Sequence, residues 1–496
     1  MIHPSFKEFK QLSKRGNLVA LRSDLPSDLE TPVSAFLKLA AKKPCAFLFE
    51  SAEQEERIGR YSFLGFDPES VLFVQRGNVY LKEGKRSTRL GSDQKLMEIM
   101  RRRMAGYRLV NQEGLPNFTG GFVGFLGYEN VRNFENLSLS EKNGLSLEDA
   151  VFFWVKSFVL FDHFKRTLSL ISLCEIPKIS KAGLEALYRK SISQLVDFER
   201  KIQRTLMGFP LREKAKKSIT FNSNIGGLEF QRKMKRVKEY IRAGDCIQVV
   251  LSQRFCLGKV DDDFEIYRAL HSINPSPYMF YFRYGSLRLI GSSPELLVKK
   301  TGRDVEVRPI AGTRPRGQNE EEDIRAQENL KRSVKEMAEH LMLVDLGRND
   351  LGRVCDFKTV RVDDFARVEK YSHVMHLVSS VMGRLKTKKD CFDLLKATFP
   401  SGTVTGAPKI RAMQIIDELE SEKRGSYAGC MGYFSLNHDM DMCITIRTIV
   451  VVEGQAYVQA GAGIVYDSQP SREYMEIVNK AKALVQAVQG RATWVS

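Results

Sequence analysis

The strongest constraint in this chain is a succession of short strand-like runs that alternate with helical stretches without being strictly interleaved with them. "CAFLFESAE", "YSFLGF" and "SVLFVQRGNVYL" follow one another, and "FFWVKSFVLFD" and "TLSLISLCEI" do so again. Strands that are not interleaved with helices favour an α+β layout over a doubly wound parallel sheet. At 496 residues the chain exceeds one simple core, so two regions are expected. Residues 1–205 form the first and residues 226–490 the second, with an exposed Lys/Arg-rich connector near 205–225. In the second region "EFQRKMKRVKEYIRAGDCIQVVLSQRF" reads as helix, turn and strand. One long helix is expected near 322–346, another near 408–419, strands around 427–462 and a last helix near 471–489. "FTGGFVGFLGY" carries Gly120, Gly121, Gly124 and Gly127. Its spacing is not G-x-G-x-x-G and aromatics fill its gaps, so the glycines read as close strand packing.

Composition excludes several classes. No stretch reaches the roughly 18 apolar residues of a membrane helix, and "MIHPSFKEFKQLSKRG" lacks a signal-peptide core. A cytoplasmic protein without membrane contact is expected. The eight cysteines are scattered and form no C-x-x-C, as in free thiols of a reducing compartment. The formal charge is +17, from 77 Lys and Arg against 60 Asp and Glu. No nucleic-acid recognition motif accompanies it; the excess reads as surface lysine, able to draw in a small polyanion.

Six stretches carry candidate chemistry. "RPIAGTRPRG", residues 308–317, sets three arginines around Ala311 and looks ready for an anion. In "SVKEMAEHLMLVDLGRND", Glu336 and Glu339 share a helix face. "SREYMEIVNKAKAL" repeats that spacing with Glu473 and Glu476, and Lys480 follows by four. Two helices with paired carboxylates could hold a hard cation such as Mg²⁺; surface ion pairs use the same spacing. "QAGAGIVYD" reads as a turn at Gly461, Ala462 and Gly463 with bare amides, or as a plain turn. "FPSGTVTGAPKIRAMQIIDELE" feeds a glycine-rich loop into a helix, where Lys409 and Arg411 could help hold an anion. "YSHVMHLVSS" adds His373 and His376, structural or catalytic. Together these imply an enzyme acting on a small polyanion with Mg²⁺.

The whole chain resembles anthranilate synthase component I, a family of chorismate-utilising enzymes. The likeness is densest in "GSSPELLV", "RPIAGTRPRG", "KEMAEHLMLVDLGRND", "YSHVMHLVSSVMGRL", "FPSGTVTGAPKIRAMQIIDELE", "ITIRT" and "QAGAGIVYDSQPSREYMEIVNKAKAL". The resemblance implies two packed antiparallel sheets, a β-sandwich with helices outside, to which both parts of the chain contribute. It implies that Glu339 and Glu476 hold Mg²⁺, with Glu336 and Glu473 as water-mediated partners. Gly312, Thr313, Tyr427, Arg447, Gly461, Ala462, Gly463 and Lys480 would hold chorismate. Glu295 would be the general acid/base, His376 the catalytic histidine, and Thr403 its companion.

Two positions separate this sequence from similar families. Aminodeoxychorismate synthases, the alternative reading, carry a nucleophilic lysine in the slot filled here by Ala311. Isochorismate and salicylate synthases place a lysine base at the position of Gln248. Neither residue here is an amine, so the resemblance implies free ammonia as the incoming group. The chain has no glutaminase signature, so a separate glutamine amidotransferase subunit is implied. Ser51, in "LFESAE", and Pro277, Tyr278 and Met279, in "NPSPYMF", match the family's contacts for L-tryptophan as feedback inhibitor.

Overall fold

The computed structural model describes residues 2–51, 59–111, 114–177, 181–206, 222–371 and 374–490. His373 and most of the 205–225 connector lie outside them. Two large antiparallel sheets pack face to face with helices outside. The first runs from Leu18–Pro26 through Thr167–Glu175, Ser157–Asp162, Tyr61–Phe66, Cys45–Glu50, Tyr278–Tyr284, Leu287–Ser293, Thr448–Val452 and Gln455–Ile464 to Gln248–Lys259. The second runs from Ile310–Pro315 through Val374–Arg384, Asp304–Val307, Leu296–Thr301, Met440–Ile444, Cys430–Ser435, Gly121–Leu126 and Ala150–Val155 to Ser70–Gln75. Early and late parts of the chain therefore lie side by side in both sheets. Phe47 sits opposite Phe282 in one, and Gly124 opposite Gly432 in the other.

Side-chain alternation along each strand explains the layers. Phe47 and Phe63 point into the core between the sheets, with Phe122, Phe153 and Phe282. Ala46, Leu48 and Leu64 point the other way, into a second core under the helices with Phe36, Ala412 and Ile477. The first sheet is thus a middle layer buried on both faces. The rings of Phe153 and Phe282 stack at 4.4 Å across the sheets, worth about 0.5–1.5 kcal/mol beyond their buried area.

A side chain has no room at Gly124. A Cβ there would stand 1.9 Å from the Val151 carbonyl oxygen. Gly124→Ala is therefore expected to cost about 1–3 kcal/mol or more, through forced backbone shifts. Chemical denaturation checks this; an unchanged midpoint would refute the packing role.

The long helix expected near 322–346 is two helices, Glu320–Arg332 and Val334–Gly352. Ser333 breaks it by capping the second, its hydroxyl accepting from the Glu336 N–H at 3.4 Å. The helices Lys409–Leu419 and Pro470–Gln489 lie where the sequence put them. Val334–Gly352 packs on Ile310–Pro315 and Val374–Arg384, and Pro470–Gln489 packs on Gln455–Ile464. Among the described residues no helix is long and apolar enough to cross a membrane. The eight cysteines are free.

Candidate active site

The two carboxylate helices meet electrostatically. Burial raises the pKa of Glu339, and the charges of Glu336 and Glu476 raise it further. Glu473 is raised by burial too, against a hydrogen bond from Ser468, with Glu476 adding its repulsion. Lys480 sits among them: its Nζ lies 2.6 Å from Glu476 and donates to the Gly461 carbonyl at 3.0 Å. Arg314 pairs with Glu336 at 3.2 Å. Among the described residues no cluster of three or more Asp, Glu, His or Cys makes a metal ligand set by itself. Mg²⁺ takes one or two protein carboxylates and completes its shell with water and anionic substrate oxygens. The repulsion acting on Glu339 is what a cation there would relieve.

Glu295 stands where the chain passes from one sheet to the other, between Leu287–Ser293 and Leu296–Thr301. It is 7% exposed. Burial pushes its pKa up to about 8, against a hydrogen bond from Thr403 and the charge of Lys480. At neutral pH it therefore keeps its proton. Glu295, Ser401, Thr403 and Asp350 line a cavity of about 30 Å³, room for roughly one or two waters.

His376 lies on Val374–Arg384, opposite Thr313. Next to that pair the strand Ile310–Pro315 bulges at Gly312, with φ +64°. A Cβ at Gly312 would meet Leu330 at 2.9 Å and Glu336 at 3.1 Å, so glycine is required for both reasons. The bulge aims the Gly312 carbonyl at His376 Nδ1, 2.8 Å away, and Thr313 Oγ1 lies 3.1 Å from the same nitrogen. A carbonyl can only accept, so Nδ1 carries the proton and Nε2 is left basic. Burial lowers the His376 pKa, with Arg447 and Lys480 adding to that and the Gly312 bond opposing it. Ala311, 7% exposed, precedes this turn.

Gly461, Ala462 and Gly463 are not a turn. They lie inside the strand Gln455–Ile464, opposite Ser252, Leu251 and Val250. The glycines are needed because other side chains occupy their Cβ space: the Tyr427 hydroxyl is 2.7 Å from it at Gly461, and the Gln248 amide nitrogen 2.1 Å from it at Gly463. Bare amides arise by another route. Val250 N–H donates to Thr405 O and Ser252 N–H to Glu420, so neither bonds across to the glycines. In an antiparallel ladder the Gly461 and Gly463 amides then point away from that neighbour, along an edge that Thr448–Val452 does not reach. Gln248 is 3% exposed, and its Oε1 has no partner.

The arginines of "RPIAGTRPRG" are not left for an anion. Arg308 pairs with Glu369, Arg314 with Glu336 and Arg316 with Asp323. Lys409 and Arg411 are taken by Asp350 and Asp245. Half-buried Arg447 adopts φ +48° and feels Glu476 electrostatically.

The sequence reading missed Arg424. It is 3% exposed, bonds both oxygens of Glu420, and donates to the carbonyls of Val404 and Val250 at 2.8 Å each. Its guanidinium lies 5.5 Å from the Tyr427 ring centre. It ties the Thr403 loop, the Gln248 strand and Tyr427 together. The only signal in the sequence was Glu420 four residues ahead.

Away from these groups, Ser51, Pro277, Tyr278 and Met279 line one cavity of about 690 Å³. Glu306, Arg308, Glu369, Asp441 and Tyr433 share its wall. The Ser51 hydroxyl is buried with no partner.

Paired carboxylates, a buried acid that keeps its proton and a basic imidazole are the parts of an acid–base catalytic site. Residues 44–486 match the chorismate binding enzyme family. Within it the chain belongs to the anthranilate synthase component 1 group of chorismate-utilising large subunits. It is 42% identical to anthranilate synthase component 1 of Acetivibrio thermocellus over 99% of both chains. It is 44% identical to that of Thermus thermophilus, over 94% of this chain and 97% of the other. The crystal structure of anthranilate synthase component I from Streptococcus pneumoniae, 36% identical, matches with a TM-score of 0.75 over 93% of this chain and 99% of that one. The menaquinone-specific isochorismate synthase from Escherichia coli, 18% identical, shares the fold with a TM-score of 0.70 over 97% and 98% of the two chains.

Proposed function

We propose that the chain converts chorismate and ammonia to anthranilate and pyruvate, the first step of tryptophan synthesis, in the cytoplasm. The observation that carries this is the missing amine. Ala311 precedes the bulge that fixes His376, and Gln248 packs its amide on Gly463. Alanine cannot attack the ring, and an amide cannot deprotonate water. Ammonia is left as the incoming group.

The chemistry uses the groups as they stand. The nitrogen of ammonia bonds to ring C2 while the C4–O bond breaks, and protonated Glu295 gives its proton to the departing hydroxyl. The ammonium so formed releases one proton, the ring loses its C2 proton as the enolpyruvyl ether C–O bond breaks, and the enolpyruvate takes up a proton at its methylene carbon, leaving pyruvate and an aromatic ring. His376, neutral with Nε2 bare, supplies a base for that step. Tyr427, Arg447, Thr313, Lys480 and the amides at Gly461 and Gly463 hold the substrate. Glu339 and Glu476 would hold Mg²⁺, with Glu336 and Glu473 acting through water, and the site would then supply Lewis-acid neutralisation of the substrate carboxylate charge. A partner glutamine amidotransferase supplies the ammonia. L-tryptophan, the end product, inhibits by occupying the 690 Å³ cavity, which falls within the size range of small-ligand sites.

The test is direct. Purified protein with chorismate, Mg²⁺ and ammonium salt is expected to yield anthranilate, identified by fluorescence and mass. A product with the mass of aminodeoxychorismate, without pyruvate release, would overturn the reading.

A further inference from the structure

The 690 Å³ cavity and the helix that carries Glu339 lie on opposite faces of one strand, Val374–Arg384. Val378, Ser380 and Met382 line the cavity. Val381 points the other way, toward Gly347 of the Val334–Gly352 helix. Ser379 touches the cavity too, but its hydroxyl turns to the helix and lies 2.6 Å from His340 Nε2. His340 is fully buried and directly follows Glu339. No step of the proposed reaction uses it.

The neighbouring strand reaches the same point. Arg361–Lys370 inserts Asp364, Phe365 and Ala366 between the pairs Asp363–Ser380 and Arg367–Val378, so three residues face Ser379 alone. Asp364 and Ala366 adopt φ +52° and +53°, backbone that side chains disfavour. Asp363, Asp364 and Arg367 line the cavity. Ala366 N–H donates to Ser379 Oγ at 2.8 Å, and the Phe365 ring centre lies 5.8 Å from that of His340. The bulge thus has the cavity on one side and two separate contacts to the His340–Ser379 pair on the other. A strained bulge persists only where its surroundings over-determine it, and here part of those surroundings is the cavity wall itself, where Asp363, Asp364 and Arg367 stand.

We infer that this bulge couples the cavity to the carboxylates. His340 is a positioning residue: held by Ser379 and Phe365, it sets the turn of helix on which Glu339 stands. An occupant that contacts Asp363, Asp364 or Arg367 shifts the bulge, and the Ser379 hydroxyl and Phe365 ring pass the shift to His340 and so to Glu339. The inference rests on the reading of the cavity as a tryptophan site.

The experiment measures binding and inhibition separately. The unmodified protein is expected to bind labelled tryptophan in equilibrium dialysis. Saturating tryptophan should weaken chorismate binding roughly 5–150-fold, the usual size of coupling between two sites, and chorismate should weaken tryptophan binding by the same factor. Phe365 is 50% exposed, so Phe365→Ala is expected to fold and to bind tryptophan. Its coupling factor should fall to about threefold or less. Ser379→Ala should lower the factor in the same way through the other contact. Ser51→Phe, inside the cavity, should lose binding and inhibition together. If both Phe365→Ala and Ser379→Ala bind tryptophan and remain inhibited as strongly as the parent, the coupling route is wrong while the cavity reading stands. If the parent binds no tryptophan, the cavity reading falls and the route falls with it.

Discussion

Glu339→Gln is expected to lower anthranilate formation roughly 10²–10³-fold while making the fold no less stable, because a metal ion supplies several kcal/mol of charge stabilisation. The substitution keeps the volume and removes one negative charge. That charge is held at a disadvantage in the metal-free protein: burial and the neighbouring Glu336 and Glu476 all raise the Glu339 pKa. Removing it should therefore leave the melting temperature unchanged or raise it. Loss of turnover without loss of stability distinguishes a cation site from a structural ion pair, whose removal would lower both. Titrating Mg²⁺ into the variant should demand far higher concentrations for the residual rate. Full activity at ordinary Mg²⁺, or a large drop in melting temperature, would count against Glu339 as the ligand.

What the sequence revealed, and what it hid, follows from the range of the interactions involved. Local patterns were readable. Glu339 on one helix and Glu476 on the other do feel each other's charge, and the α+β layout read from the strand-like runs forms; the pair of packed antiparallel sheets was legible only through the family resemblance. Even the break at Ser333 is visible as a serine with Glu336 three residues on, an N-cap signature. The misreadings concern partners far away in the chain. Gly461 and Gly463 look like a turn in isolation. Their glycines answer to Tyr427 and to Gln248, the latter more than 200 residues upstream, as the opposed strands show. The three arginines of "RPIAGTRPRG" look available for a ligand because Glu369, Glu336 and Asp323 are not adjacent to them in sequence. Arg424 has only Glu420 near it in sequence; its other acceptors, the Val404 and Val250 carbonyls, sit on separate segments. A pattern within one element is legible; a contact between elements becomes legible only after the strand order is known.

The sharpest consequence of burial concerns Glu295. Its pKa is raised from an ordinary 4.5 to about 8, so the folded protein holds this proton across a range in which the unfolded chain has released it. The sign of the stability effect follows. Below about pH 4.5 both states are protonated and the contribution is fully present. Between about pH 4.5 and pH 8 it is progressively lost as the unfolded state gains from ionising, and above that window it stays lost. Glutamine has no proton to hold. Glu295→Gln is therefore expected to match the parent near pH 4.5 and to become the more stable of the two as the pH rises toward 8. Turnover should move the opposite way. Loss of a general acid costs about 10²–10⁴-fold, and the parent's kcat should fall above about pH 8 as Glu295 ionises, while the variant's residual rate should lack that limb. Denaturation midpoints at several pH values and a kcat profile for each protein give both readings. A variant less stable than its parent at pH 8, or a parent profile flat through pH 8 and beyond, would mean that this carboxyl is not the acid that drives the ring hydroxyl out.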